Sequence, residues 1–243
     1  MIVITGLKAE ARIASAPGVS VFACAGNVGF RARAIRRAVS AGATGIVSFG
    51  VAGGLSSQLT AGDWVIATGV MSGDRCIETD IEWSMRLVER LSGAVLGNIV
   101  SVADPVLHPI DKRRLHTKTG ASAVDMESFQ SAVLADELGV PFAAVRVIAD
   151  PVFRELPPAT QVGLRPDGTV AIGAVVQSLL CKPSQIPSLV RVTGDALIAF
   201  RALLRGRNKL GPHFASLLRP TVLESHLLNA AGPTLQRTEP LPA

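Results

Sequence analysis

The stretch VDMESFQSAVLADELGVPFAAVRVIAD, residues 124–150, decides the fold. Asp125 and Glu127 open it in an apolar setting. A helical pattern follows in Phe129, Val133, Leu134 and Leu138, closed by Gly139. Pro141 then starts an apolar run, Phe142 to Ile148, interrupted only by Arg146. Such a run reads as a strand buried on both faces, where a charge is costly unless paired. Arg146 therefore needs an anion, and Glu127 is the expected partner. Asp150 ends the strand, is followed by Pro151, and stands where open α/β sheets place their ligands.

The preceding chain alternates in the same manner. Strand-like segments at Ile2–Thr5, Val19–Ala25, Gly45–Phe49, Trp64–Val70 and Val95–Val102 are separated by helical patterns at Arg31–Ala41 and Ile81–Leu91. Lys8 to Arg12 and the connection carrying Asp104, His108 and Lys112-Arg113-Arg114 read as polar segments. After Asp150 a Pro-rich loop, Pro151 to Pro166, precedes two expected helices, Val170–Leu180 and Ile186–Leu204. The expected fold is α/β: three αβα layers around a mixed, mostly parallel sheet. One catalytic domain is expected over residues 1–205, with a partly ordered tail over 206–243 where sustained periodicity ends.

Composition limits the function classes. The 243 residues are 48% hydrophobic and 18% charged, which suits an ordered globular chain. There is no tyrosine and little other aromatic content, so a base-stacking nucleic-acid platform is not expected. The net charge of +5 is compatible with an acidic ligand or a membrane surface. Cys24, Cys76 and Cys181 are odd in number and widely spaced, which suits a reducing cytoplasm. MIVITGL reads as a first strand rather than a signal peptide, and no apolar run reaches bilayer-spanning length. The expected location is cytoplasmic, with the inner membrane face as a candidate. The four histidines have no ligand spacing, so no metal is expected. The arginines of 33–37, the run 112–114 and the run 205–209 read as solvated faces.

Gly50-Val-Ala-Gly53-Gly54 follows the third strand. Glycines there let backbone amides approach a ligand, although the spacing fits neither a dinucleotide fingerprint nor a P-loop. Four segments together, GVAGGL (50–55), GDWV (62–65), VDMES (124–128) and VRVIAD (145–150), resemble the ordered motifs of the purine nucleoside phosphorylase and methylthioadenosine nucleosidase superfamily over residues 1–200. Within it, ITGLKAEARI (4–13) and SFGVAGGL (48–55) resemble the hopanoid-associated phosphorylase branch.

The resemblance implies release of adenine from a 5′-substituted adenosine, with adenosylhopane as the branch's substrate. It implies that Glu127 binds the ribose hydroxyls, Met126 packs on the sugar, and Arg146 keeps Glu127 ionised. Asp150 is implied as the acid at purine N7 and Glu10 as the residue orienting the nucleophile. Val106 and Leu107 fall where relatives contact the base. The chain departs from the pattern at Ala149, where a serine is usual, and at Ser48, where hexameric phosphorylases carry an arginine. Water is one nucleophile. Inorganic phosphate is the other, as a co-substrate held by Ser48, the Gly53 and Gly54 amides and Arg31 or Arg33. No further cofactor is implied. Expected partners are a small-molecule nucleoside, lipid-linked in this branch, a peripheral membrane contact and further copies of the chain, with no nucleic acid. A methylthioadenosine or S-adenosylhomocysteine nucleosidase, a general purine nucleoside phosphorylase and a non-catalytic nucleoside-binding scaffold are the alternatives.

Overall fold

The apolar run after Pro141 forms β8 (Phe142–Asp150). It runs parallel to β3 (Ile46–Gly54) on one side and antiparallel to β4 (Trp64–Ser72) on the other. With both edges paired and both faces covered, its side chains have no need to alternate in polarity. They divide between two cores. Phe142, Ala144 and Ile148 pack with α2 (Val28–Ser40) and α5 (Ser128–Glu137), while Ala143, Val145 and Val147 pack with α3 (Ile81–Arg90) and α6 (Ile186–Leu210). The three-layer αβα architecture follows. The structure is a computed structural model that describes residues 1–24, 28–157 and 182–216.

Pairing is mixed and mostly parallel. β1 (Ile2–Thr5) lies parallel between β2 (Ser20–Ala23) and β3. β6 (Val95–Ser101) is parallel to β4, and β5 (Arg75–Glu78) is antiparallel to it. The short β7 (Ala123–Asp125) joins β6 in parallel and β3 in antiparallel fashion. Strands β3, β8, β4, β6 and β7 thus close a ring of pairings, which leaves no open edge among them. A register shift after Ala52 sets Gly53 opposite both Asp150 and Val124. The carboxyl ends of β3 and β8 therefore meet β7, and the acidic residues of 125–150 gather there.

Several elements differ from the sequence reading. Helices α1 (Lys8–Ala14) and α4 (Pro109–Thr119) form where polar segments were expected. Pro109 opens α4 and Gly120, at φ 67°, ends it in the left-handed region. Few apolar residues mark that helix, because the side chain it buries completely is Lys112. Gly53 and Gly54 belong to β3 rather than to a turn. The last helix, α6, runs past the expected Leu204 to Leu210, and Phe214 is fully buried, its carbonyl accepting a hydrogen bond from Trp83 Nε1 at 2.6 Å. The expected helix Val170–Leu180, the Pro-rich loop beyond Pro157 and the tail beyond Ser216 lie outside the described residues.

Candidate active site

Four carboxylates line one cavity, Glu10, Asp125, Glu127 and Asp150, and they reach it by different routes. Glu10 comes from the first turn of α1. Its Oε2 accepts hydrogen bonds from the Gly6 and Leu7 amides (3.0 and 2.8 Å), and its Oε1 from the Val51 amide of β3 (2.8 Å). Burial raises its pKa, and the three amides and Arg146 oppose that rise. Glycine is needed beside it, since a Cβ on Gly50 would lie 2.5 Å from Glu10 Oε1. Close approach of a carboxylate, rather than a phosphate-cradling turn, accounts for that glycine.

Glu127 stands just before α5 and was expected to neutralise Arg146. The structure gives Arg146 a second and closer partner. Its Nε and Nη2 lie 2.9 and 2.7 Å from Asp125 Oδ2, whereas Glu127 Oε2 is 3.8 Å away. Ser48 and Ser128 accept further bonds from Nη2, at 2.7 and 3.0 Å, so the buried guanidinium is well satisfied. Asp125 is held in turn by the Ser101 and Ser128 hydroxyls. The pKa of Glu127 is consequently pushed up to about 7, first by burial and then by Asp125, with Arg146 opposing. Arg146 acts on Glu127 in the expected direction, favouring its ionised form, but that positive charge is shared with a closer carboxylate.

Asp150, at the end of β8, is paired with a residue the sequence reading left on a solvated face. Lys112 Nζ donates to Asp150 Oδ2 at 2.5 Å, and the lysine is fully buried. Burial raises the Asp150 pKa, in the direction expected of an acid, although Lys112 pulls it down. The flanking Arg113 and Arg114 are exposed, as expected of the run. The signal for Lys112 was faint: it shares an i,i+3 face with Leu115, the one part-buried apolar residue of the helix.

A cavity of about 210 Å³ joins these groups. Glu10, Glu127, Asp150, Met126, Val106 and Gly53 all line it, together with Asp125 and an apolar wall that includes Leu7, Val51, Pro105 and Leu156. Ser48, Gly54 and Arg146 stand behind the lining. Ser48 is fully buried and its hydroxyl is committed to Arg146 and Ser128, which corrects its expected place in a phosphate site. Leu107 does not line the cavity; its carbonyl accepts from the Leu156 amide at 2.9 Å and so fixes that wall. Arg31, on α2, is buried and donates to the Glu127 carbonyl at 3.3 Å, while its Nε and Nη2 have no hydrogen-bond partner among the described residues. Among those residues no cluster of His, Cys, Asp and Glu is placed to hold a metal.

Strand ends that gather carboxylates around an apolar cleft define a class of small-molecule enzyme folds. Residues 8–162 match the family model of the phosphorylase superfamily, and the chain belongs to that family. No curated protein sequence matches it. In fold it is similar to the 5′-methylthioadenosine/S-adenosylhomocysteine nucleosidase of Helicobacter pylori bound to butyl-thio-DADMe-Immucillin-A (17% identity, TM-score 0.58, 86% of this chain and 97% of that one). It is also similar to the futalosine hydrolase of the same organism (17%, 0.57, 85% and 96%). A third similar structure is the Colwellia psychrerythraea methylthioadenosine/S-adenosylhomocysteine nucleosidase in complex with adenine (19%, 0.56, 74% and 93%).

Proposed function

We propose that this chain cleaves the N-glycosidic bond of a 5′-substituted adenosine and releases adenine, with water as the nucleophile. The observation that carries this reading is the meeting of Glu10, Glu127 and Asp150 on one largely apolar cavity. Breaking the bond from C1′ to N9 builds positive charge on the sugar and negative charge on the purine. Asp150 gives a proton to N7, so adenine departs neutral. Glu127 accepts hydrogen bonds from the ribose 2′ and 3′ hydroxyls, with Met126 against the sugar. A water attacks C1′ and gives its proton to Glu10. The carboxylates play opposite parts: Asp150 must carry a proton, Glu127 must be ionised to accept hydrogen bonds, and Glu10 must be free to take the proton of the water.

Water is favoured because the Ser48 hydroxyl is engaged by Arg146 and Ser128 and does not line the cavity. The unpartnered nitrogens of Arg31 favour a second reading, in which a phosphate ion replaces water. Product analysis separates the two. A free 1′-hydroxyl sugar formed at the same rate with and without phosphate supports hydrolysis, and a sugar 1-phosphate supports the second reading.

For the 5′ group we infer a lipid, adenosylhopane being the substrate of the branch the sequence resembles. Leu7, Val106 and Leu156 give the cavity a part-exposed apolar rim. On α6, Ile186, Val190, Leu197 and Leu204 are exposed and recur at spacings of four and seven, on one stripe of the helix. Exposed Arg191, Arg201, Arg205 and Lys209 flank it, while Asp195 is occupied by Arg154 at 2.5 Å. An apolar stripe with a cationic border suits the headgroup region of an anionic bilayer. No helix among the described residues is long and apolar enough to cross one. Sedimentation with anionic vesicles, lost in Val190→Glu and Leu197→Glu, tests the contact. A faster rate on methylthioadenosine than on adenosylhopane in such vesicles would overturn the lipid assignment.

A further inference from the structure

We propose that Lys112 is the positioning residue of Asp150: it binds one carboxyl oxygen permanently, so that the other alone carries the proton delivered to the purine. The proposal rests on the reading of Asp150 as the acid and adds to it a residue that does not touch the substrate.

The geometry is that of a cage. Lys112 sits one turn into α4, fully buried, and its Nζ reaches Asp150 Oδ2 at 2.5 Å, the Asp150 and Pro151 carbonyls at 3.1 Å, and the Arg154 carbonyl at 3.2 Å. All four neighbours are acceptors. A neutral amine would leave acceptors facing each other, so the site selects the ammonium form, which has three N–H donors to give them. The three carbonyls keep that ammonium solvated even when Asp150 is neutral. Asp150 can therefore take up a proton without stranding a buried, unpaired cation.

The consequence for Asp150 is a choice between its oxygens. Oδ2 faces an ammonium and serves only as an acceptor. The proton must then sit on Oδ1, which has no hydrogen-bond partner among the described residues. Ala149, the preceding residue, has no hydroxyl that could compete for the carboxyl group. Lys112 also fixes where the group stands, because the same Nζ ties together residues 150, 151 and 154 at the exit of β8. Arg154 is joined to Asp195 of α6 at 2.5 Å, so the cage links α4, β8 and α6. The charged groups acting on Asp150 are Lys112, which favours its ionised form, and Asp195, which disfavours it.

The proposal is tested by the pH dependence of adenine release from methylthioadenosine for the wild type, Lys112→Met, Lys112→Arg and Asp150→Asn. Lys112→Met is expected to lower kcat by about 10²-fold, within the range a positioned acid supplies, with KM little changed. Its alkaline limb should move to higher pH, since the charge that favours ionised Asp150 is gone. Lys112→Arg should keep the limb near its wild-type position and recover part of kcat. A Lys112→Met enzyme with wild-type kcat and an unmoved limb overturns the proposal, provided Asp150→Asn is inactive. If Asp150→Asn turns over normally, it is the acid assignment that fails. If Lys112→Met does not fold, Lys112→Arg decides: a lowered kcat with an unmoved limb supports positioning, and wild-type kcat despite the misfitting guanidinium refutes it.

Discussion

Arg146 pairs most closely with Asp125, at 2.7 Å, and more loosely with Glu127, which lies at 3.8 Å from the same nitrogen. The pair Asp-x-Glu at 125–127 thus divides its labour: the first acid holds the strand's arginine, and the second faces the cavity with only a share of that charge. Asp125→Ala should strip the buried guanidinium of its closest counter-charge and leave only the looser pairing with Glu127, at a cost of up to about 3–5 kcal/mol. Thermal unfolding should show a large fall in Tm. Glu127→Gln, by contrast, should fold normally.

Glu127 also makes stability depend on pH. Its pKa in the folded chain is about 7, above the ordinary value of 4.5, so the folded state binds the proton more tightly than the unfolded one. That contribution is complete below about 4.5 and is lost as pH rises through about 7. Relative to the wild type, Glu127→Gln should therefore gain Tm as pH increases across this window. A difference that stays flat with pH would contradict the raised value.

Activity should follow a bell. On the acid side, Glu127 must ionise to accept the ribose hydroxyls, which places that limb of kcat/KM for the free enzyme near 7. On the alkaline side, the rate should fall as Asp150, raised by burial, loses its proton. A profile flat across the neutral range would remove these two assignments together.

Gly50→Ala should be damaging although it adds one methyl group. The new Cβ would stand 2.5 Å from Glu10 Oε1, and Glu10 is pinned by three backbone amides. Displacing it should cost about 1–3 kcal/mol as overpacking does and should lower kcat. Equal activity with unchanged Tm would show that Glu10 can move aside without consequence.

Much of this architecture was legible in the sequence because it rests on apolar runs. β8, with Arg146 inside and Asp150 at its end, follows from Phe142 to Ile148 being buried on both faces. The residues that escaped are those whose environment is made by distant chain. Lys112 is written as part of a basic run, and only the fold shows that it points inward while Arg113 and Arg114 do not. Asp125 and Glu127 are two residues apart in similar surroundings, and their roles separate only because Asp125 ends β7 while Glu127 stands at the entrance to α5. The glycines at 50 and 53 were visible, but what they make room for, the carboxylates of Glu10 and Asp150, comes from segments far from them in the chain.

The central claim is that Asp150 protonates a departing adenine, and its most direct measurement is adenine release by the purified protein and by Asp150→Asn. The substrates are adenosylhopane, methylthioadenosine and adenosine, each with and without phosphate. The wild type should release adenine, and the variant should lose about 10²–10⁴-fold in rate with Tm preserved. No adenine from any of the three substrates, or a near-normal rate in Asp150→Asn, would contradict the claim.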